Sequence, residues 1–124
     1  MATMTEADPQ SLKALLWSLQ GRIARRTWWL WGVAMPLGMA LYLTVLLRVS
    51  GVSPRVTDVV VNLALLWPVL AVGVKRWHDR GKSGWWVLVA LIPLVGWLWV
   101  LVENGLLRGD AEPNRFGNAP ADGQ

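Results

Sequence analysis

The chain contains no cysteine and one histidine, His78. Without thiols there is no disulfide, no thiolate metal site and no cysteine nucleophile, and one imidazole does not build a multi-histidine zinc centre. Neither a metal nor a cofactor is therefore expected. Charge is also scarce: 16% of the 124 residues are charged and 54% are hydrophobic, below and above the usual soluble values respectively. A soluble domain of this size leaves much of its surface in water. Ten tryptophans among runs of leucine and valine would then form exposed apolar patches, a conflict that a bilayer removes. The net charge is +4, but the basic residues lie in short runs between apolar stretches. That pattern gives no continuous basic surface and argues against nucleic acid as a partner.

Three long apolar runs are present. Thr27 to Leu47 is free of charge over 21 residues, about 31 Å of helix, which matches a hydrocarbon core of about 30 Å. Val59 to Val74 gives 16 uncharged residues, about 24 Å, so a helix there starts near Val56 and lets Asp58 and Lys75 reach the interface. Ser83 to Val102 gives 20 more, with eleven Leu, Ile or Val side chains contributing about −3 to −7 kcal/mol to insertion. The expected fold is an all-α membrane protein in a single domain. Its spans are 27–49, 56–74 and 84–103, joined by a basic cytoplasmic loop over 75–84 and followed by a flexible tail over 108–124. A short amphipathic helix precedes them over 8–21. It is capped by Asp8-Pro9, stopped by Gly21 and apolar at Leu12, Leu15, Leu16 and Leu19, which suits the membrane interface.

Lysine and arginine set the expected orientation. Lys13, Arg22, Arg25 and Arg26 precede the first span, and Lys75, Arg76, Arg80 and Lys82 follow the second, making eight on one side. Arg48, Arg55, Arg108 and Arg115 make four on the other. The positive-inside rule then places the N-terminus in the cytoplasm and the C-terminal tail outside. Seven tryptophans (Trp17, Trp28, Trp29, Trp31, Trp77, Trp85 and Trp86) fall at the same interface, where indole is stable. A competing topology turns at Pro93–Gly96, makes the third run a re-entrant hairpin and returns the tail to the cytoplasm. It is disfavoured because a lipid-exposed turn at that depth leaves backbone groups without partners.

Two groups of residues are candidates for function. Arg22, Arg25 and Arg26 with Lys75, Arg76, Trp77, His78, Asp79, Arg80 and Lys82 form a basic aromatic collar suited to anionic headgroups or a partner, at about 1 kcal/mol per cation near the surface. The same charges also fix topology with no further role. Gly81-Lys82-Ser83 is not a phosphate loop, because Arg76 stands where the first glycine is needed. His78 beside Asp79 would serve acid–base chemistry only if the chain turns there, since adjacent helical residues point about 100° apart. Within the membrane, Asn62 is the deepest strongly polar residue, suited to an interhelical hydrogen bond. Pro36, Pro68 and Pro93 lie about 10–14 Å from the cytoplasmic edge and free the carbonyls of Gly32, Ala64 and Val89. Kinks at a shared depth would open a cavity toward the cytoplasm.

Gly21-Arg22-Ile23-Ala24-Arg25-Arg26-Thr27-Trp28-Trp29, Lys75-Arg76-Trp77-His78-Asp79, Ser83-Gly84-Trp85-Trp86, Leu91-Ile92-Pro93-Leu94-Val95-Gly96-Trp97 and Asn114-Arg115-Phe116-Gly117 occur in that order. In this series the chain resembles the YhaH-like bacterial inner-membrane proteins, family 805 of unknown function. The resemblance covers about residues 11 to 120 and implies a bacterial cytoplasmic membrane location without an established activity. The leading functional expectation is a non-enzymatic module that binds membrane lipid or a protein partner, with homo-oligomers allowed. The alternatives are a small oligomeric transporter or channel and a lipid-directed enzyme using His78 and Asp79.

Overall fold

The computed structural model describes residues 11–120, whose regular structure is helical with no strand beyond one isolated bridge, Asn114 with Gly117. The expected cap at Asp8-Pro9 lies outside the described residues. Ser11 caps the first helix instead, α1 (Leu12–Trp17), its hydroxyl accepting from the Ala14 amide at 3.0 Å. Two long apolar helices follow, α2 (Arg25–Val49) and α3 (Pro54–Asp79), each long enough to cross a bilayer. Serine at 53 caps α3 and proline at 54 occupies its first turn, where the missing amide costs nothing. Much of the apolar surface of both helices is exposed, with Leu37, Leu41, Val49, Leu63 and Leu66 among the residues facing outward. Such a surface is compatible with lipid and not with water.

Pro36 lies within α2 just after a change of winding. The preceding stretch, Trp28–Ala34, winds as a π-helix, and the Met35 amide bonds to the Leu30 carbonyl. The wider turn absorbs the loss of the Pro36 amide. α3 does not stop near Val74 as expected; it continues through Lys75–Asp79, so the first five residues of the expected 75–84 loop belong to the helix, and all five are buried.

The third apolar run is not a spanning helix. A 3-10 helix over Gly84–Leu91 is followed by a turn and then by α4 (Val95–Leu106). At 2.0 Å per residue the first limb reaches about 16 Å, and α4 at 1.5 Å per residue reaches about 18 Å, so each limb covers about half of a hydrocarbon core. The objection to such a hairpin was unpartnered backbone, and the turn meets it locally. Val95 N–H donates to Pro93 O at 2.7 Å, Gly96 N–H to Ile92 O at 3.0 Å and Ile92 N–H to Val89 O at 3.0 Å. The Trp97 indole donates across the limbs to Ala90 O at 3.0 Å.

Leu94, at φ 66° and ψ −70°, is the centre of a γ-turn of the rare positive-φ kind, which is strained for any residue with a Cβ. Leu94→Gly is expected to raise stability by about 1 kcal/mol, the strain relieved less the extra chain entropy of glycine. Thermal unfolding in nanodiscs measures it; a lower melting temperature would show that the Leu94 side chain matters more than its backbone.

The hairpin has a long-range consequence. Because α4 returns, the tail meets the end of α3: Asp110 N–H donates to Asp79 O at 2.7 Å and Asn114 Nδ2 to His78 O at 3.0 Å. The expected placement of the tail on the side opposite the 75–84 segment is therefore corrected. Residues 110–117 are hydrogen-bonded at the same end of the bundle as Arg22.

Candidate functional site

The expected collar exists as a cluster of residues, but its charges are turned inward. Asp79 sits at the C-terminal end of α3 with 0% exposure. Its Oδ1 accepts from Arg22 Nε at 2.9 Å and its Oδ2 accepts from Arg76 Nη1. The two guanidiniums then gather the surrounding backbone. Arg22 Nη1 donates to the carbonyls of Glu112 and Gly117, each at 3.0 Å, and Nη2 to that of Asp110. Arg76 Nε donates to Asn104 O at 2.7 Å, Nη1 to Ile23 O at 3.2 Å and Nη2 to Leu107 O at 2.7 Å. A planar fork with five donors suits this task, and lysine would not reproduce it. Gly109 packs against the carboxylate so closely that a Cβ there would lie 1.7 Å from Asp79 Oδ2.

Four more collar cations are also engaged. Lys75 caps α1 by donating to Ala14 O at 2.7 Å and to Leu15 O, a use of lysine at a helix C-terminus. Arg25 donates to Leu106 O at 2.6 Å. Lys82 and Arg80 converge on Glu103: Lys82 Nζ lies 2.5 Å from Oε1, and Arg80 Nη2 lies 3.3 Å from Oε2. Lys82 also stands over the rings of Trp77 and Trp86 at 5.7 and 5.0 Å. Arg26 remains at the exposed surface, as do Lys13, Arg108 and Arg115.

His78 and Asp79 do not form an acid–base pair. His78 Nδ1 bonds to Gly21 O at 3.0 Å, and the ring stacks on Phe116 at 3.9 Å with planes 3° apart. The Asp79 carboxylate is engaged by the guanidiniums of Arg22 and Arg76 instead. Among the described residues no group of three or more His, Asp or Glu is placed to hold a metal ion.

Below this cluster lies a cleft of about 380 Å³, within the range of small-ligand sites. Trp28 and Gly32 of α2, Val69 and Gly73 of α3, Val87 and Ala90 of the 3-10 helix and Val100 of α4 line it. Asn104 and Trp77 lie at the collar end and Asn62 at the other. From Asn62 to Trp77 the wall runs about 22 Å along α3 at 1.5 Å per residue, so the cleft is elongated. The hairpin creates it, since a straight third helix would have no second limb to close that side.

Of the proline-related expectations, Gly32 does border the cleft, whereas Pro36, Pro68 and Pro93 do not. Pro36 and Pro68 are buried in their helices and Pro93 is in the hairpin turn. Asn62 bonds within its own helix, to Asp58 O at 2.7 Å, and not across helices. Sequence reasoning passed over Glu103 and Asn104. An acid and an amide at the end of an apolar run were the available signal, and both are buried, at 7% and 1% exposure.

The family described as Protein of unknown function (DUF805) matches residues 16–118. Inner membrane protein YhaI of Escherichia coli K12 is 32% identical over 100 residues, covering 81% of this chain and 83% of YhaI. Inner membrane protein YhaH of the same strain is 30% identical over 105 residues, covering 82% and 85%. The uncharacterized protein YiiR is 34% identical over 99 residues, covering 80% of this chain and 64% of YiiR. No solved structure matches.

Proposed function

Taking as premise that this chain belongs to the DUF805 family, we propose that it is a non-enzymatic membrane module that holds a lipid chain in the cleft between α2, α3 and the hairpin. The observation that carries the reading is the cleft itself: elongated, walled by apolar side chains, and capped at one end by a buried, hydrogen-bonded polar cluster. Apolar walls with a few placed polar groups are the usual composition of a ligand site. The collar supports the same reading in a changed role. With Arg22, Arg76, Lys75, Arg80 and Lys82 engaged internally, it has fewer cations to offer anionic headgroups and acts as the lid and anchor of the cleft.

Gly73 is the place to test this. A Cβ there would meet Val87 Cγ1 at an ordinary 3.7 Å, so Gly73→Leu fills the cleft without a backbone clash. The variant is expected to retain its melting temperature or gain, because cavity filling and loss of a helical glycine both stabilise. It is expected to lose most of the lipid co-isolated with the wild type, read by native mass spectrometry. Undiminished lipid on a folded variant would reject the reading.

We also place both ends of the described chain on the cytoplasmic side. With the tail beside Arg22, Arg108 and Arg115 join the eight cations at the collar end, and only Arg48 and Arg55 remain opposite. Ten against two is a stronger positive-inside bias than the eight against four of a three-span topology. Since the chain has no cysteine, Ser50→Cys and Asn118→Cys each give one thiol at an exposed position. In intact cells a membrane-impermeant maleimide is expected to label Ser50→Cys and to spare Asn118→Cys. Labelling of both would restore the three-span topology.

A further inference from the structure

Two buried side-chain atoms have no hydrogen-bond partner among the described residues, Arg80 Nε and Asn104 Oδ1. Only Asn104 lines the cleft. Its residue is 1% exposed, and its backbone carbonyl is already taken by Arg76 Nε. A buried amide oxygen left without a donor costs about 1–3 kcal/mol, and such an atom calls for a ligand or an explanation. It lies where α4 winds as a π-helix, Leu101–Leu106. Three consecutive residues, Glu103, Asn104 and Gly105, are buried there. Arg76 on the Asn104 carbonyl and Trp29 Nε1 on the Gly105 carbonyl at 2.8 Å hold this turn. The amide is thus fixed at the polar end of an apolar cleft.

The chemistry of the missing partner follows from its neighbours. Asn104 Oδ1 accepts, so the ligand must donate. A carboxylate or phosphate would set oxygen against oxygen, and the donors of Arg76 that would otherwise attract it are already bonded to carbonyls and to Asp79. An ammonium would place a second cation beside Arg76 and would lose its hydration with no carboxylate free to pair with it. A hydroxyl has neither problem. We propose that the cleft takes a neutral single-chain amphiphile, its terminal hydroxyl donating to Asn104 Oδ1 and its chain running along α3 toward Asn62. This deepens the lipid-chain reading above and rests on it. Straight-chain and isoprenoid alcohols share the required chemistry, and the cleft length suits both.

The test uses the full chain in phosphatidylcholine nanodiscs, with the rise in melting temperature followed against the bilayer mole fraction of added ligand. The ligands are hexadecanol, hexadecyl methyl ether, hexadecanoate at alkaline pH and geranylgeraniol. Hexadecanol is expected to half-saturate at about one tenth of the mole fraction its methyl ether needs, the factor that one hydrogen bond to an otherwise unpaired buried acceptor supplies. Geranylgeraniol in place of hexadecanol as the tighter ligand would identify the isoprenoid source, and the reverse the straight-chain source; either supports the proposal. Equal responses to alcohol and ether, or a preference for hexadecanoate, would overturn it while leaving a chain-binding cleft in place. No response to any chain, with Gly73→Leu also without effect on co-isolated lipid, would remove the cleft reading as well. Asn104→Leu is expected to erase the alcohol preference and to raise the melting temperature of the empty protein, since an unsatisfied acceptor is replaced by an apolar group. Should that variant fail to fold, the comparison of alcohol with ether on the wild type still decides.

Discussion

Asp79→Asn is expected to destabilise the protein by about 3–5 kcal/mol, the range found when one partner of a buried ion pair is removed and the other charge is left behind. Here two charges are left. Arg22 and Arg76 both have 0% side-chain exposure where they meet Asp79, and the asparagine amide would present a donor group to at least one of them. The loss should be focused. Arg22 holds the 110–117 tail through three carbonyls, and Arg76 holds α4 and the segment before α2 through three more. Limited proteolysis is therefore expected to cut between Arg108 and Arg115 in the variant at conditions where the wild type resists, with a fall in melting temperature alongside. An unchanged melting temperature and a protected tail would show that the carbonyls alone suffice to keep the guanidiniums in place. Gly109→Ala should give a milder version of the same phenotype, because its Cβ would displace the carboxylate without discharging it.

The second large effect is at Gly96. A Cβ added there would lie 1.9 Å from the Val89 carbonyl oxygen, a backbone atom that cannot swing aside. Gly96→Ala must therefore open the hairpin, and overpacking against backbone is expected to cost about 3 kcal/mol or more. The chain has one obvious escape. Residues 84–106, wound as a single α-helix, would measure about 34 Å and span the bilayer, carrying the tail to the opposite face. Combined with Asn118→Cys, the variant reports which path it takes: maleimide labelling from outside in a folded protein means that the run has straightened, and loss of folded protein means that it has not. A folded variant with a protected thiol and an unchanged melting temperature would contradict the close approach of the two limbs.

These two sites show why the third run reads as a span in the sequence and folds as a hairpin in the structure. Its composition is that of a spanning helix, and hydropathy does not distinguish twenty residues that cross from two limbs of about half that depth. Pro93 and Gly96 were visible as a turn signal. The cost assigned to a turn in lipid was backbone without partners, and that cost was overestimated because the Trp97 indole and a γ-turn at Leu94 supply hydrogen bonds from within the hairpin. The same hairpin sets the partners of the collar: a tail on the far side would stand apart from His78 and Asp79, and the collar cations would lack the carbonyls and the Glu103 carboxylate that occupy them.

What the sequence determined by itself was the solvent and the parts list. Runs of apolar residues with a membrane-length period, tryptophans at their ends, an absence of thiols and a lone histidine are additive properties, readable one segment at a time. The residues of the collar were also legible, since charge in so apolar a chain has few places to be. Their partners were not. Whether Arg76 faces a phosphate or a carbonyl depends on which backbone returns to it, a contact spanning 28 residues to Asn104. Whether Asp79 is a base or a bolt depends on Arg22, 57 residues away. Such pairings are set by the path of the chain between them, and a single hairpin, decided by a few hydrogen bonds around Leu94, fixed that path and with it the cleft.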